Sequence, residues 1–304
     1  MRVLVCASLV SVFLGVVRGM AQAPVEPGPV PELMNAPGVF LGGLADGFAK
    51  LPNCKFTYNT DIEVHTPGAA VQKLSRRTEF THFDGAFSYK QQEPSSGKLV
   101  EHICYDGMSY YRHMTEADTV YVGSDLTKLH LATAAAFGEN PLFAPFRSLF
   151  SESDYRLFAL PNITSTKFWM ECTKGAVVKV DGGQITLTKE GVNDLVTTMT
   201  IPTGSMYPTS VSTLDKSSGR TIMEFRIEKY LEAQGPGGRL RIPSVLVETP
   251  GQGRVPDSGM YWKVKLDESS FQILSVKPPP EEFSIPRAAA KRLVDRDLGV
   301  EIKR

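Results

Sequence analysis

The residues of this chain that could carry out chemistry are few and widely separated. The histidines lie at five scattered positions: His65, His82, His102, His113 and His130. None of them shows the H-x-H or H-E-x-x-H spacing that is typical of a zinc site. Three could meet across neighbouring strands (82, 102 and 113), but a structural role in a hairpin or at the surface is the simpler interpretation. The sequence therefore predicts no metal centre and no cofactor.

Motifs of common hydrolases and phosphate-binding enzymes are also missing from the sequence. There is no G-x-S-x-G nucleophile elbow. The glycine-rich stretches 235–238 and 251–253 lack the flanking strand and helix of a phosphate loop, and predict turns. Glu281 and Glu282 follow three prolines, which favours an exposed bend over an acid–base pair. We expect no catalytic residues; a secreted hydrolase stays open only if a serine, a histidine and an acid meet in the fold.

Alternating apolar and polar residues predict the elements that must position any site. From Phe56 to His65 the alternation is almost free of errors, so one face of this strand is apolar and the other is wet. Asp-Gly pairs at 84–85 and 106–107 predict tight hairpin turns. Comparable segments, including one at about 167–173, predict about a dozen antiparallel strands in one curved sheet. Such a sheet needs an apolar cover on its inner face.

Helices are predicted to supply this cover. Before the first strand, Phe40, Leu44, Phe48 and Leu51 lie at helical spacing, although three glycines weaken the helix. A second helix is predicted to begin at Ser124 or Asp125 and to end at Gly138. A third, with Asn140 as its N-cap and Pro141 in its first position, carries an unusually apolar side: Leu142, Phe143, Phe146, Leu149 and Phe150.

The beginning of the chain has the layout of a secretory signal peptide. A positive start at Arg2 precedes an apolar run over residues 3–17 and an A-x-A cleavage site at 21–23. The run is too short for a membrane span, and Arg18 interrupts it. We therefore expect cleavage near Ala23 and a periplasmic or secreted mature protein with no membrane span.

The rest of the chain is predicted to be a Pro-rich tether over residues 24–38 and a single domain over 39–304. Equal numbers of basic and acidic residues make the whole chain formally neutral, and loss of the signal peptide leaves about −2. Nucleic acid is not an expected partner, because no strong positive field would attract it. Three cysteines remain in the mature part (54, 104 and 172), so at most one pair can form; they suit small core residues equally well.

Several segments, taken in order, resemble the LolA/LolB superfamily of periplasmic lipoprotein carriers over nearly the whole mature chain. They are the amphipathic helix ending at Leu51, the strand with Phe56-Thr57, Phe87-Ser88-Tyr89, the hairpin at 105–111 (YDGMSYY), the strand at 182–188 (GGQITLT), and the stretches 282–286 (EFSIP) and 293–295 (LVD). The resemblance implies an unclosed antiparallel β half-barrel with a few helices covering its concave face. The family's lid-closing arginine, part of an Arg-Pro pair before the third strand, is absent from Phe83–Phe87 here.

A carrier of this kind would bind its ligand in a hydrophobic cavity. The expected walls are the apolar strand faces, Phe56, Tyr58, Ile62, Phe80, Phe87, Tyr89, Ile103, Tyr105, Met108 and Tyr110, and the expected lid residues are Leu126, Leu129, Phe143, Phe146 and Phe150. Each buried methylene contributes roughly 0.8 kcal/mol, so a chain of ~16 carbons gains on the order of 10 kcal/mol before entropy costs. Ordinary core packing explains the same alternation.

Two functions therefore follow from the sequence. The first is a non-enzymatic binding or carrier protein for acyl lipid or lipoprotein. The alternative is an envelope sensor or scaffold of the same fold that contacts another protein. A permanently filled cavity and the missing lid arginine would favour the second function.

Overall fold

The computed structural model describes residues 37–124, 138–149, 163–191, 194–203, 205–235, 238–251 and 259–303. The strands are β1 (Cys54–His65), β2 (Gln72–Phe83), β3 (Ala86–Gln92), β4 (Leu99–Tyr105), β5 (Tyr110–Met114), β6 (Thr119–Gly123), β7 (Val177–Asp181), β8 (Gln184–Glu190), β9 (Leu195–Pro202), β10 (Ser210–Asp215), β11 (Arg220–Gly235), β12 (Gly238–Pro250), β13 (Gly259–Ile273), β14 (Arg292–Asp295) and β15 (Val300–Lys303). The helices are α1 (Pro37–Ala49) and α2 (Thr166–Cys172), with 3-10 helices at Ala144–Leu149, Pro280–Glu282 and Arg287–Ala289.

All fifteen described strands belong to one sheet, which confirms the predicted fold class. Their spatial order is β15-β14-β6-β5-β4-β3-β2-β1-β13-β12-β11-β10-β9-β8-β7. β7 and β15 are the two edges of the sheet, so the sheet is unclosed. Neighbouring strands run antiparallel, except that β14 lies parallel to β6. β1 lies in the middle of the sheet, where it pairs with β2 and with β13.

The Asp-Gly pairs at 84–85 and 106–107 form hairpin turns, as predicted. Asp84 and Gly85 have φ values of 49° and 83°, a left-handed geometry that suits the turn between β2 and β3. In the next Asp-Gly turn, Asp106 Oδ1 accepts hydrogen bonds of 2.8 Å from the backbone N–H of Met108 and of Ser109. This turn removes Met108 from the strand, and its side chain is 82% exposed. The expectation that Met108 lies on the apolar wall is therefore wrong.

Helices and the C-terminal segment cover opposite faces of the sheet. The inner face carries side chains such as Phe56, Phe80 and Leu187, which pack against α1, α2 and the 3-10 helix Ala144–Leu149. On the outer face, residues after β13 pack over β2 to β6 in two smaller apolar clusters. These clusters contain Phe283 with Phe83 and Ala86, and Ile285 and Leu293 with Cys104, Val120 and Val122.

The strand expected at about 167–173 is a helix instead. A short apolar run fits both periodicities, and contact with α1 favours the helix. The helix predicted from Pro141 is a 3-10 helix that begins at Ala144, because Pro145 has no backbone N–H to donate within a longer helix. Asn140 is therefore not the N-cap of this helix, since it lies four residues before Ala144; its Oδ1 accepts a 2.9 Å hydrogen bond from the backbone N–H of Leu142 in the turn that precedes the helix.

Other predictions fall partly or wholly outside the described residues. These are the signal peptide, most of the tether, and the helix that would carry Leu126 and Leu129, together with the lid residue Phe150. Within the described ranges, no helix has both the length and the apolar character to cross a membrane.

Candidate ligand site between the helices and the sheet

Aromatic side chains join the helices to each other above the sheet. We call α1, α2 and residues 138–149 together the cover. Phe48 of α1 stacks on Trp169 of α2, with ring centroids 5.5 Å apart and planes inclined by 9°. Phe146 meets both rings edge-on, at 5.6 Å from Phe48 and 5.4 Å from Trp169. Edge-to-face and offset-stacked rings are the favourable arrangements, so these three residues lock the parts of the cover to one another.

The same aromatic layer continues into the sheet. Phe143 of the cover meets Phe80 of β2 edge-on at 6.3 Å. Phe80 in turn lies 5.1 Å from Phe56 on β1 and 4.8 Å from Tyr89 on β3. Successive side chains of a strand point to opposite faces, and Phe56, Phe80 and Tyr89 all lie on the inner face. The cover therefore rests on the sheet through a continuous surface of rings.

Most of the predicted wall residues lie together in this layer. Nine are buried in one core cluster: Phe56, Tyr58, Phe80, Phe87, Tyr89, Ile103, Tyr110, Phe143 and Phe146. Ile62 and Tyr105 are partly buried and pack against that cluster. Residues that the prediction missed complete it, notably Phe48, Trp169, Leu246, Trp262 and Val264. The sequence could have indicated Trp262 and Val264, because they alternate with polar residues along β13. Trp169 could not be found in this way, because its segment is predicted to be a strand.

A buried ion pair joins the cover to β12. Arg147 of the 3-10 helix binds Glu248, and the two side chains are only 15% and 6% exposed. The Arg147 guanidinium also lies over the Trp262 ring, 4.0 Å from its centroid, a favourable cation–π geometry. This pair holds the cover at the β12–β13 side of the aromatic layer.

A second ion pair joins the cover to β2 with the roles reversed. Arg76 on the sheet donates to Glu139 of the cover, with Nη1 and Oε1 3.0 Å apart. Burial raises the pKa of the Glu139 carboxyl, although Arg76, Arg147 and Thr60 beside it act in the opposite direction. Two ion pairs, one on each side of the aromatic layer, therefore fasten the cover to the sheet.

A serine, a histidine and an acid do meet, but on the outer face. Ser88 Oγ lies 2.9 Å from His102 Nε2, and the carboxylate of Glu282 accepts hydrogen bonds from Thr81 Oγ1, at 2.7 Å, and from Lys90. Burial lowers the pKa of His102 to about 4. Ser88 is 1% exposed, so a substrate could not reach its hydroxyl. The hydrogen bonds of Glu282 to Thr81 and Lys90 instead hold the segment after β13 against the sheet.

The expectation of an exposed bend at Glu281 and Glu282 holds for the first residue only. The Glu282 side chain is 12% exposed, because it folds under the C-terminal segment toward Lys90. Two thiols are buried and free, Cys54 and Cys104. Burial raises the pKa of Cys54 to about 12 and that of Cys104 well above its usual value, so both behave as inert core residues.

No cluster suited to a metal occurs within the part of the chain that the structure describes. Among those residues, no three His, Cys, Asp or Glu side chains lie together in positions that could hold an ion. His102 and His113 are cross-strand neighbours on β4 and β5, yet the ring of His102 is turned to Ser88.

Comparison with known proteins gives structural similarity alone. No protein-family profile and no curated protein matches this sequence. A DUF1329 family protein from Desulfovibrio piger is similar with a TM-score of 0.47 and 12% identity, over 81% of this chain and 95% of that one. A LolA superfamily protein from Nitrosomonas europaea has a TM-score of 0.41 and 12% identity, over 82% and 97%.

A third similar structure is described as an outer membrane lipoprotein-sorting protein domain, from Vibrio parahaemolyticus. Its TM-score is 0.42 at 9% identity, over 79% of this chain and 94% of that one. All three structures thus match about four fifths of this chain. Their TM-scores lie below 0.5, and a likeness at that level does not establish a shared function.

Proposed function

We propose that this protein binds an acyl chain of a lipid or lipoprotein between its cover and the inner face of its sheet. The observation that supports the proposal is the aromatic layer that joins Phe48, Phe143 and Phe146 to Phe80 and its neighbours. Contacts between rings lack the directed hydrogen bonds of a β-sheet. Methylene groups can therefore replace them at a similar free energy per unit of buried area.

The cover is built from pieces that can separate from the sheet. α1 has 13 residues and α2 has 7, and isolated helices of these lengths are marginal in water. Their stability comes from packing on the sheet and on each other. A lipid chain that took over the apolar contacts of the inner face would compensate for the displaced rings, while the fifteen-stranded sheet keeps its backbone hydrogen bonds.

The proposed role is non-enzymatic and belongs to the cell envelope. Ser88 and His102 lie under the C-terminal segment on the other face of the sheet, away from the proposed ligand. The envelope location rests on residues 1–23, which we propose to be a cleaved signal peptide, followed by a tether over residues 24–38.

The proposal is tested by titrating the purified protein with cis-parinaric acid, a fluorescent fatty acid. The folded wild type is expected to take up one equivalent. Phe146→Asp, which places a charge in the aromatic layer, is expected to lose binding by about 100-fold or more. Val276→Asp, at a position 77% exposed, is the matched control and keeps binding. If Phe146→Asp does not fold, Phe143→Leu is expected to weaken binding while the sheet remains intact. No uptake by the wild type contradicts the proposal.

A second candidate function is a contact with another envelope protein, and one observation favours it. Among the described strands, the edge strand β15 has a neighbour on one side only, and its apolar residues Val300 and Ile302 are 43% and 45% exposed. Exposed edges of this kind can add a strand from a partner. A photo-cross-linker at Ile302 should then give one discrete product in intact cells, and one at Met170 of α2 should not. No product at Ile302 excludes this edge.

A further inference from the structure

One side of the aromatic layer is polar and charged. Six side chains meet there. Thr60 and Arg76 are paired on β1 and β2, and Arg76 binds Glu139 of the cover. Arg147 of the cover binds Glu248 of β12, which is paired with Trp262 of β13. The register places them together, because β1 pairs Thr60 with Arg76 and β12 pairs Glu248 with Trp262. Both glutamates and both arginines are thus held where the cover meets the centre of the sheet.

The hydrogen bonding of this cluster is incomplete. Three buried polar atoms make no well-aligned hydrogen bond among the described residues: Thr60 Oγ1, Glu139 Oε2 and Trp262 Nε1. The Thr60 hydroxyl lies beside the Glu139 carboxylate without that alignment. A buried polar atom without a hydrogen-bond partner is rare and destabilises the folded protein. Glu139 is therefore a poorly satisfied partner for Arg76, since one of its two carboxylate oxygens bonds and the other does not.

Arg76 lies at the boundary between the buried layer and solvent. Along β2 the inner-face side chains become progressively more exposed, from Phe80 at 0% to Arg76, whose side chain is 30% exposed, and Leu74 at 45%. Val64 and Met260, which β1 and β13 pair with each other beyond this point, are also exposed. An acyl chain lying toward Phe80 would place its polar head at Arg76.

We propose that Arg76 is the head-group site for an acyl ligand with an oxyanion head, a carboxylate or a phosphate, and that the Glu139 carboxylate is its internal competitor. This inference rests on the proposed acyl-chain site and names the class of ligand for it. A guanidinium group suits it, because arginine stays charged and binds carboxylate or phosphate through two parallel N–H donors. The exchange replaces one anion by another at Arg76, so the charge of the cluster is conserved and Glu139 moves to water with the cover.

The inference predicts which ligands bind best. The full-length protein is titrated with palmitate, hexadecyl phosphate and hexadecanol, which share one chain length and differ in the head. Palmitate and hexadecyl phosphate are expected to bind with an affinity at least about tenfold higher than that of hexadecanol. The reason is that a charge-assisted hydrogen bond is stronger than a neutral one. If only one of the two anions shows this preference, the source of the head group is identified as well.

Variants separate the head-group role from a purely structural one. Arg76→Gln is expected to remove the preference for the anions, so that palmitate and hexadecyl phosphate bind no more tightly than hexadecanol. Arg77→Gln is the matched control on the opposite face, where Arg77 lies 3.9 Å from Asp267, and it keeps the preference. Glu139→Gln removes the competitor and is expected to tighten palmitate binding severalfold. If Arg76→Gln does not fold, Arg76→Lys is used instead. Lysine keeps the positive charge without the two parallel N–H donors of arginine, and it is expected to reduce the preference for the anions over hexadecanol.

The outcomes that overturn the inference differ from those that overturn the proposed function. Equal affinity of the wild type for all three ligands removes the head-group site and leaves acyl binding in place. An equal loss of all three ligands in Arg76→Gln shows a structural role and also rejects the inference. Binding of none of the three ligands by the folded wild type rejects the acyl-chain site itself.

Discussion

At the scale of single residues, the site combines aromatic rings with two buried ion pairs. The rings follow from strand alternation, which placed Phe56, Phe80 and Tyr89 on one face from the sequence. The charged partners left a weaker signal. Arg76 lies on the inner face of β2, where polar residues alternate with apolar ones. Glu248 occupies an inner-face position of β12, next to the buried Leu246 and opposite the buried Trp262, and a charge at such a position indicates a buried partner. The identity of that partner could not be predicted, because Glu139 and Arg147 reach it through tertiary packing.

Removing one member of the Arg147–Glu248 pair should destabilise the protein strongly. Arg147→Met leaves Glu248 buried without its partner, and we expect the free energy of unfolding to fall by about 3–5 kcal/mol. The double variant Arg147→Met/Glu248→Leu removes both charges and should recover most of this loss. Urea unfolding measures each value.

The matched control for this prediction is Arg226→Met. Arg226 pairs with Glu228 at the surface, with side chains 60% and 37% exposed, and surface pairs contribute about 1 kcal/mol or less. A double variant as unstable as Arg147→Met alone would show that packing of the arginine on Trp262, and not the unpaired charge, accounts for the loss.

His102 should make stability fall as the pH falls below neutral. Burial lowers its pKa in the folded protein from 6.5 to about 4, so below pH 6.5 the unfolded chain binds a proton that the folded protein excludes. Linkage then removes about 2 kcal/mol of stability between pH 7 and pH 5. His102→Gln should flatten this dependence in thermal or urea unfolding. An unchanged pH dependence in His102→Gln would assign the effect to other groups.

At the scale of elements, local patterns predicted the strands and hairpins well and the helices less well. Alternation and Asp-Gly turns mark β1 to β6, where neighbours in sequence are neighbours in the sheet. α2 was assigned to a strand because its short apolar run fits either period, and its packing on α1 decides the matter. A 3-10 helix stands in place of the predicted α-helix at Pro145. The missing backbone N–H of this proline is the signal in the sequence against a longer α-helix.

Glycine in α1 offers a direct way to stabilise the cover. A methyl group added at Gly43 meets no atom within 4 Å, so Gly43→Ala is expected to raise helix stability by about 1 kcal/mol and to raise the melting temperature. Gly47→Ala in the same helix is the informative comparison, because its new methyl group would lie 2.7 Å from Met206 Sδ. Calorimetry measures the melting temperature of both variants. Equal shifts would show that the contact between position 47 and Met206 does not affect the stability of the protein.

At the scale of the whole molecule, the sequence predicted an unclosed antiparallel sheet covered by helices, and this prediction is confirmed. Two features could not be predicted because they join distant parts of the chain. β14 adds to the sheet parallel to β6, and residues 280–295 cover the outer face through Phe283, Ile285 and Glu282. The sheet therefore has fifteen described strands, where local patterns predicted about a dozen.

The proposed function requires that an acyl chain occupies the space between the cover and the sheet. Native mass spectrometry, followed by lipid extraction, of the mature protein purified from an envelope fraction measures this directly. We predict a bound acyl lipid on the wild type that is lost in Phe146→Asp and retained in Val276→Asp. A wild-type protein with the mass of the bare chain, and with no uptake of added palmitate, would show that the aromatic layer is an ordinary core and would contradict the account.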